Sequence, residues 1–147
     1  MKTFIPKVDP SKRKWHVLDL EGKILGRAAV KVANVLRGKN KPIFTPHLDT
    51  GDHVIAINAK GLRVTGKLKP QQMNYHHYSG YPGGMTTITF AQLMQKKPED
   101  VFVHAVRRML PKNRLGRKML KKLHVYAGPD HPHRAQKPET LELSRDR

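Results

Sequence analysis

Four short stretches of this chain carry residue types that do chemistry. His47-Leu48-Asp49-Thr50-Gly51-Asp52-His53 puts two imidazoles and two carboxylates within seven residues, the material of an acid–base pair or a divalent-metal site. The spacing matches no metal motif, and Asp-Thr-Gly-Asp is equally turn chemistry. Gly22-Lys23-Ile24-Leu25-Gly26 precedes a helical pattern, where glycines and free N–H groups hold phosphate. Neither G-x-G-x-x-G nor G-x-x-x-x-G-K-[ST] is present, so a tight turn is favoured over nucleotide binding. Tyr75-His76-His77-Tyr78-Ser79-Gly80-Tyr81-Pro82-Gly83-Gly84 reads as a loop in which His and Tyr stack on unpaired bases and glycines admit a phosphate. Its other reading is a mobile surface loop. Asp130-His131-Pro132-His133-Arg134 adds two imidazoles. Read as part of an extended tail, they favour a tail lying along RNA over a metal site.

Charge selects among these chemistries. Lysine and arginine number 29 against 11 acids, a net charge of +18 over 147 residues. Such an excess repels itself in a compact chain and calls for a polyanionic partner. No acid occurs from His53 to Pro98 or from Val101 to Pro129, so the middle of the chain is almost purely cationic. Solvated faces normally mix signs; this one does not. The candidate RNA contacts are therefore Lys12, Arg13, Lys14, Arg27, Lys31, Arg37, Lys39, Lys41, Lys67 and Lys69, with Tyr75, His76, His77, Tyr78 and Tyr81. The densest group is Arg107, Arg108, Lys112, Arg114, Arg117, Lys118, Lys121 and Lys122, and the tail adds His131, His133 and Arg134. The absence of cysteine excludes disulfides, thiolate zinc sites, iron–sulfur clusters and cysteine nucleophiles. Aromatics at 6% argue against a base-stacking platform as the main device. The N-terminus lacks an apolar signal segment, and no run approaches about 18 apolar residues, so a cytosolic protein is expected.

The elements that must position these groups are legible in part. Residues 1–14 read as an extended basic arm broken by Pro6 and Pro10. Trp15–Leu20 predicts a strand. Leu25, Ala28, Ala29, Val32, Ala33 and Leu36 predict a helix closed by Gly38. Val54–Ala59 predicts a strand buried on both faces, which completes a right-handed βαβ unit. Residues 60–88 admit one or two further strands. Thr89 and Gln92 form a capping box for a short helix to about Lys96. Pro98-Glu99-Asp100 opens another helix with a core stripe of Phe102, Ala105, Val106 and Met109, stopped by Pro111. A third helix spans 114–122, with Leu115, Met119, Leu120 and Leu123 inward and Arg114, Arg117, Lys118, Lys121 and Lys122 outward. Basic amphipathic helices also bind membranes or calmodulin-type partners, but this one has no Trp or Phe anchor. Val125-Tyr126 reads as a final strand. Residues 128–147 read as an extended tail with a short ordered piece at 141–143, leaving 15–127 as one α/β domain.

Taken together, the residues resemble the bacterial large-subunit ribosomal protein of the L-thirteen family. The matching strings are Trp15, Asp19, Gly22 and Leu25-Gly26-Arg27-Ala28-Ala29; His47 to Ala59; Val64-Thr65-Gly66-Lys67; and Ser79 to Gly84. They continue through Met109-Leu110-Pro111-Lys112, Leu115-Gly116-Arg117, Val125-Tyr126-Ala127-Gly128, His131-Pro132-His133, Ala135-Gln136 and Pro138-Glu139. The chain departs from the usual residue of the family at His53, Tyr78 and Arg108. The resemblance implies a three-layer α/β/α domain around a four-stranded parallel sheet of order 3-2-1-4. It further implies a structural role on 23S rRNA, early in large-subunit assembly and beside other ribosomal proteins, with no catalysis, cofactor, metal, membrane or small-molecule substrate. The competing classes are a free regulatory RNA-binding protein and a metal-dependent nuclease or nucleotide enzyme centred on 47–53.

Overall fold

The computed structural model describes residues 6, 7, 9, 11 and 13–142; Lys12, most of the 1–11 arm and residues 143–147 lie outside the described residues. The sheet is built from β1 (Trp15–Asp19), β2 (His53–Ile57), β5 (Leu123–Val125) and β6 (Glu139–Thr140), all parallel, in the spatial order β5-β2-β1-β6. Between β1 and β2 runs α1 (Leu25–Arg37), and between β2 and β5 lie α2 (Lys69–Gln72), a hairpin of β3 (Asn74–Tyr78) and β4 (Met85–Thr89), α3 (Phe90–Lys96), α4 (Pro98–Met109) and α5 (Arg114–Leu120).

Register explains the layers. Trp15 pairs with His53 and Val17 with Ile55, and Ile55 with His124, so these side chains share one face. Leu18, Val54 and Ala56 share the other and join Leu25, Ala28, Val32, Phe102 and Val106 in the core. The steps from β1 to β2 and from β2 to β5 move the same way across the sheet. Right-handed crossovers then put α1 and α4 on one face. The step from β5 to β6 moves back, so residues 126–138 cross the opposite face, with one 3₁₀ turn at His133–Gln136.

Local chemistry accounts for the elements. Apolar residues at helical spacing bury the inner face of α1, and Gly38 ends it in the left-handed conformation at φ 77°. Thr89 and Gln92 form the expected capping box of α3. Pro98 and the acids Glu99 and Asp100 open α4.

Five expectations need correction. Tyr75–Tyr78 is not loop but strand β3, paired antiparallel with β4 from Asn74↔Thr89 to Tyr78↔Met85. Only 79–84 turn, because cross-strand pairing satisfies the backbone that a loop would leave to water. In α4 the fourth core position is Val101, fully buried, whereas Met109 is 37% exposed beyond the edge of the core. The helix at 114–122 ends at Leu120, and Lys122 does not face out: it is 4% exposed. The strand near 125 begins earlier, at Leu123, because Leu123 and Val125 point to the core. The tail is not extended throughout: residues His133–Gln136 form a 3₁₀ turn, and the His131 and His133 rings lie 6.5 Å apart.

Candidate nucleic-acid interface

The structure divides the cations into those held by internal acids and those facing solvent. Asp49 and Asp52, the carboxylates of the turn before β2, hold three of them, Arg13, Lys41 and Lys122. Asp49 Oδ1 lies 2.5 Å from Lys122 Nζ, and its Oδ2 lies 3.3 Å from Arg13. Lys122 Nζ also donates to the Leu36 carbonyl at 3.1 Å. Burial pulls the Lys122 pKa down, and the Asp49 carboxylate opposes that pull. Asp52 accepts from Lys41 Nζ at 2.6 Å and from the Lys14 backbone N–H at 2.9 Å, with His16 Nε2 at 3.6 Å. Burial works to raise the Asp52 pKa, but His16, Lys41 and the Lys14 N–H outweigh it and bring it to about 2. Lys14 reaches Glu139 on β6 at 2.9 Å. The acids of 49–52 are thus turn and anchor chemistry that ties the N-terminal segment, α1 and β5 together. Among the described residues no group of His, Asp and Glu is arranged to hold a metal ion.

A second set of cations has no such partner. Arg107 and Arg108 sit in the last turn of α4, Lys112 in the link, and Arg114, Arg117 and Lys118 on α5; all are exposed, and Lys121 follows. Among the described residues none of these makes an ion pair. Asn113 caps α5 by accepting from the Gly116 N–H at 2.7 Å. Gly116 is required there, because a Cβ would lie 1.8 Å from the Pro111 carbonyl oxygen. This close turn folds Lys112 and Arg117 back toward Arg107 and Arg108. The four, with His76 and His77 of β3, line a groove of about 520 Å³. An adjoining pocket of about 340 Å³ runs beneath the hairpin, against Tyr75, Ile88, Leu93 and His104. His76, His77, His104 and Arg108 border both. His76 Nδ1 lies 2.9 Å from Thr87 Oγ1 across the hairpin, which fixes its ring. Sequence reading missed His104. The available signal is its spacing, three and four residues before Arg107 and Arg108, which places all three along one side of α4.

The remaining candidates lie apart from the groove. Arg37 lies over the Phe44 ring at 5.9 Å, Lys31 reaches the Glu142 carbonyl, and Arg27 is exposed on α1. Lys39, Lys67 and Lys69 are exposed, as are Tyr78 and Tyr81 at the hairpin end, with 64% and 75% of their surface in solvent. His133 packs over the sheet: its ring lies 5.2 Å from Trp15 and 4.7 Å from His124, and its Nε2 lies 2.8 Å from the Tyr126 hydroxyl. Trp15 stacks on His53 at 4.2 Å and 10°. Burial lowers the pKa of both His53 and His124, with nearby cations adding to the effect at His53 and His133 at His124. Arg134 is exposed, 4.0 Å from Asp130.

An exposed, acid-free groove lined by imidazoles, with tyrosine in the pocket beside it, is suited to a phosphate backbone with unpaired bases. No helix among the described residues is long and apolar enough to cross a membrane. Comparison with known proteins agrees on one family. The profile of Ribosomal protein L13 matches residues 13–132. A "Large ribosomal subunit protein uL13" of Dictyoglomus thermophilum is 57% identical over 143 residues, covering 97% of this chain and all of that protein. The same-named protein of Agathobacter rectalis is 60% identical over 143 residues, with 97% and 100% covered. That of Thermotoga maritima is 55% identical over 142 residues, with 97% and 95% covered.

Proposed function

The chain belongs to the Ribosomal protein L13 family, and from that premise we propose that it binds 23S rRNA, largely through the phosphate backbone, and acts early in large-subunit assembly beside other ribosomal proteins. It is a structural component of the large ribosomal subunit and not an enzyme, on the ribosome in the bacterial cytoplasm. The observation that carries the RNA reading is the groove between the hairpin, α4 and α5, where four exposed cations converge without a carboxylate in the lining. Phosphate recognition needs such uncompensated charge, and arginine forks onto phosphate oxygens where lysine adds a point charge. The ion pairs at Asp49 and Asp52 support the same reading from the other side: the few acids lie away from the groove and hold the fold.

Sedimentation of a lysate through a salt-washed sucrose gradient tests the assignment. The chain is expected with the large subunit and with its early assembly particles. Its appearance only at the top of the gradient, or only on late particles, refutes the corresponding part of the proposal.

A further inference from the structure

The groove has two chemically different halves. Toward α5 it is cationic, with Arg107, Lys112 and Arg117. Beneath the hairpin it is aromatic and apolar, with Tyr75, Ile88 and Leu93. His76, His77, His104 and Arg108 form the border between them. A duplex or a plain run of phosphates needs only the first half, as charge on an open surface. The second half faces no phosphate chemistry. Its ring wall is the tilted pair Tyr75 and His104, with centroids 5.8 Å apart. Its polar feature is the Tyr75 hydroxyl, which is buried and has no hydrogen-bond partner among the described residues. A buried hydroxyl left unpaired carries a desolvation cost that an incoming donor or acceptor removes. At about 340 Å³ the aromatic half falls within the size of small-ligand pockets.

We propose that this groove is a site for one unstacked nucleotide of RNA, its phosphate between α4 and α5 and its base under the β3–β4 hairpin. The proposal rests on the RNA-binding reading above and adds to it what the site recognises. Bases inside an A-form helix are covered by their neighbours and cannot enter, so the nucleotide comes from a bulge or loop. The base stacks on the imidazole and phenol rings, with its polar edge toward the Tyr75 hydroxyl and the histidines. Ile88 and Leu93 exclude water from its far side. The preference is for a nucleotide over a bare phosphate, and it comes from the base.

The test titrates the full-length protein at low salt with adenosine 5′-monophosphate, uridine 5′-monophosphate, ribose 5-phosphate and inorganic phosphate, followed by NMR. The nucleotides are expected to shift the rings of Tyr75 and His104 and the methyls of Ile88 and Leu93. The two base-free probes are expected to leave these unmoved while perturbing Arg107 and Arg117. At least one nucleotide is expected to bind about tenfold or more tightly than ribose 5-phosphate, the scale of one stacked base. His104→Ala, at an exposed position that leaves the core intact, is expected to abolish most of that preference, read as the ratio of nucleotide to ribose 5-phosphate affinity. Tyr75→Phe keeps the ring and removes the hydroxyl, and is expected to weaken nucleotides selectively. Equal affinity for nucleotide and ribose 5-phosphate, or shifts confined to the cationic half, overturns the proposal. The parent protein is run in the salt-washed gradient alongside. Failure there removes the RNA reading itself, whereas gradient association without nucleotide preference removes only the nucleotide site.

Discussion

Lys121 and Lys122 are adjacent and chemically identical, yet one is exposed and the other buried, and substituting each in turn separates the consequences. The Lys122 side chain is 5% exposed and its Asp49 partner 16%, at 2.5 Å. Removing one member of a buried pair leaves the other charge uncompensated and costs about 3–5 kcal/mol. Here Asp49 keeps Arg13 at 3.3 Å and part of its surface in water, which places Lys122→Met at the low end, about 3 kcal/mol. The Leu36 carbonyl also loses its ammonium donor. For a chain of this size 1 kcal/mol moves the Tm by roughly 2–4 °C, so a fall of roughly 6–12 °C is expected. Lys121→Met touches an exposed side chain and is expected within about 0.5 kcal/mol of the parent. In RNA binding the reverse order is expected. Lys121→Met is expected to lower the salt slope by up to about 1, and Lys122→Met to leave it unchanged once the protein is folded. Urea and thermal melts of both variants, of Asp49→Asn and of the Asp49→Asn/Lys122→Met double variant, with binding isotherms at several salt concentrations, supply the readouts. The double variant is expected to lose less than the sum of the singles. A Lys122→Met protein as stable as its parent, or equal effects at the two positions, refutes the burial argument.

Replacing Arg114, Arg117, Lys118 and Lys121 together by Gln is expected to weaken rRNA-fragment binding and flatten its salt dependence, with little change in melting; binding that matches the parent contradicts a groove-side RNA face. Gly116→Ala tests packing against propensity: an isolated helix would gain about 1 kcal/mol, but the clash with the Pro111 carbonyl predicts a lower Tm, and a stabilised variant disproves the close approach. Asp52, with a folded pKa of about 2 against 3.8 unfolded, supplies stability that is complete above about pH 4 and lost as pH falls toward 2, roughly 2 kcal/mol in all; Asp52→Asn is expected to blunt that acid-side decline in a pH series of urea melts. His53 and His124 have lowered folded pKa values, so the unfolded chain binds their protons first and stability declines as pH drops below about 6.5; the fluorescence of Trp15, stacked on His53, is expected to titrate with a midpoint below that value, and a midpoint above it contradicts the burial effect.

The readings that held rest on interactions within a few residues. The stripe of α1, the left-handed Gly38 that ends it, the capping box of α3 and the proline and acids opening α4 are local, so the order of residues alone specifies them. The excess of positive charge and its acid-free runs are properties of composition, and with them came the expectation of a polyanionic partner. The family, too, was legible as ordered strings along nearly the whole chain. What the tertiary structure decided depends on distant groups. Tyr75–Tyr78 becomes strand because Met85–Thr89 returns to pair with it. Lys122 turns inward because the Leu36 carbonyl, 86 residues away, and Asp49, 73 residues away, meet its ammonium. His133 leaves the expected tail because Trp15, His124 and Tyr126 offer it a surface across the sheet. The groove exists only where the hairpin, α4 and α5 converge, which brings His76 and Arg117 together from opposite ends of the cationic middle. Local periodicity shows which face of an element is apolar, but which cation finds a carboxylate, and which is left for a ligand, is settled by long-range packing, where burial makes an unpaired charge too costly to tolerate.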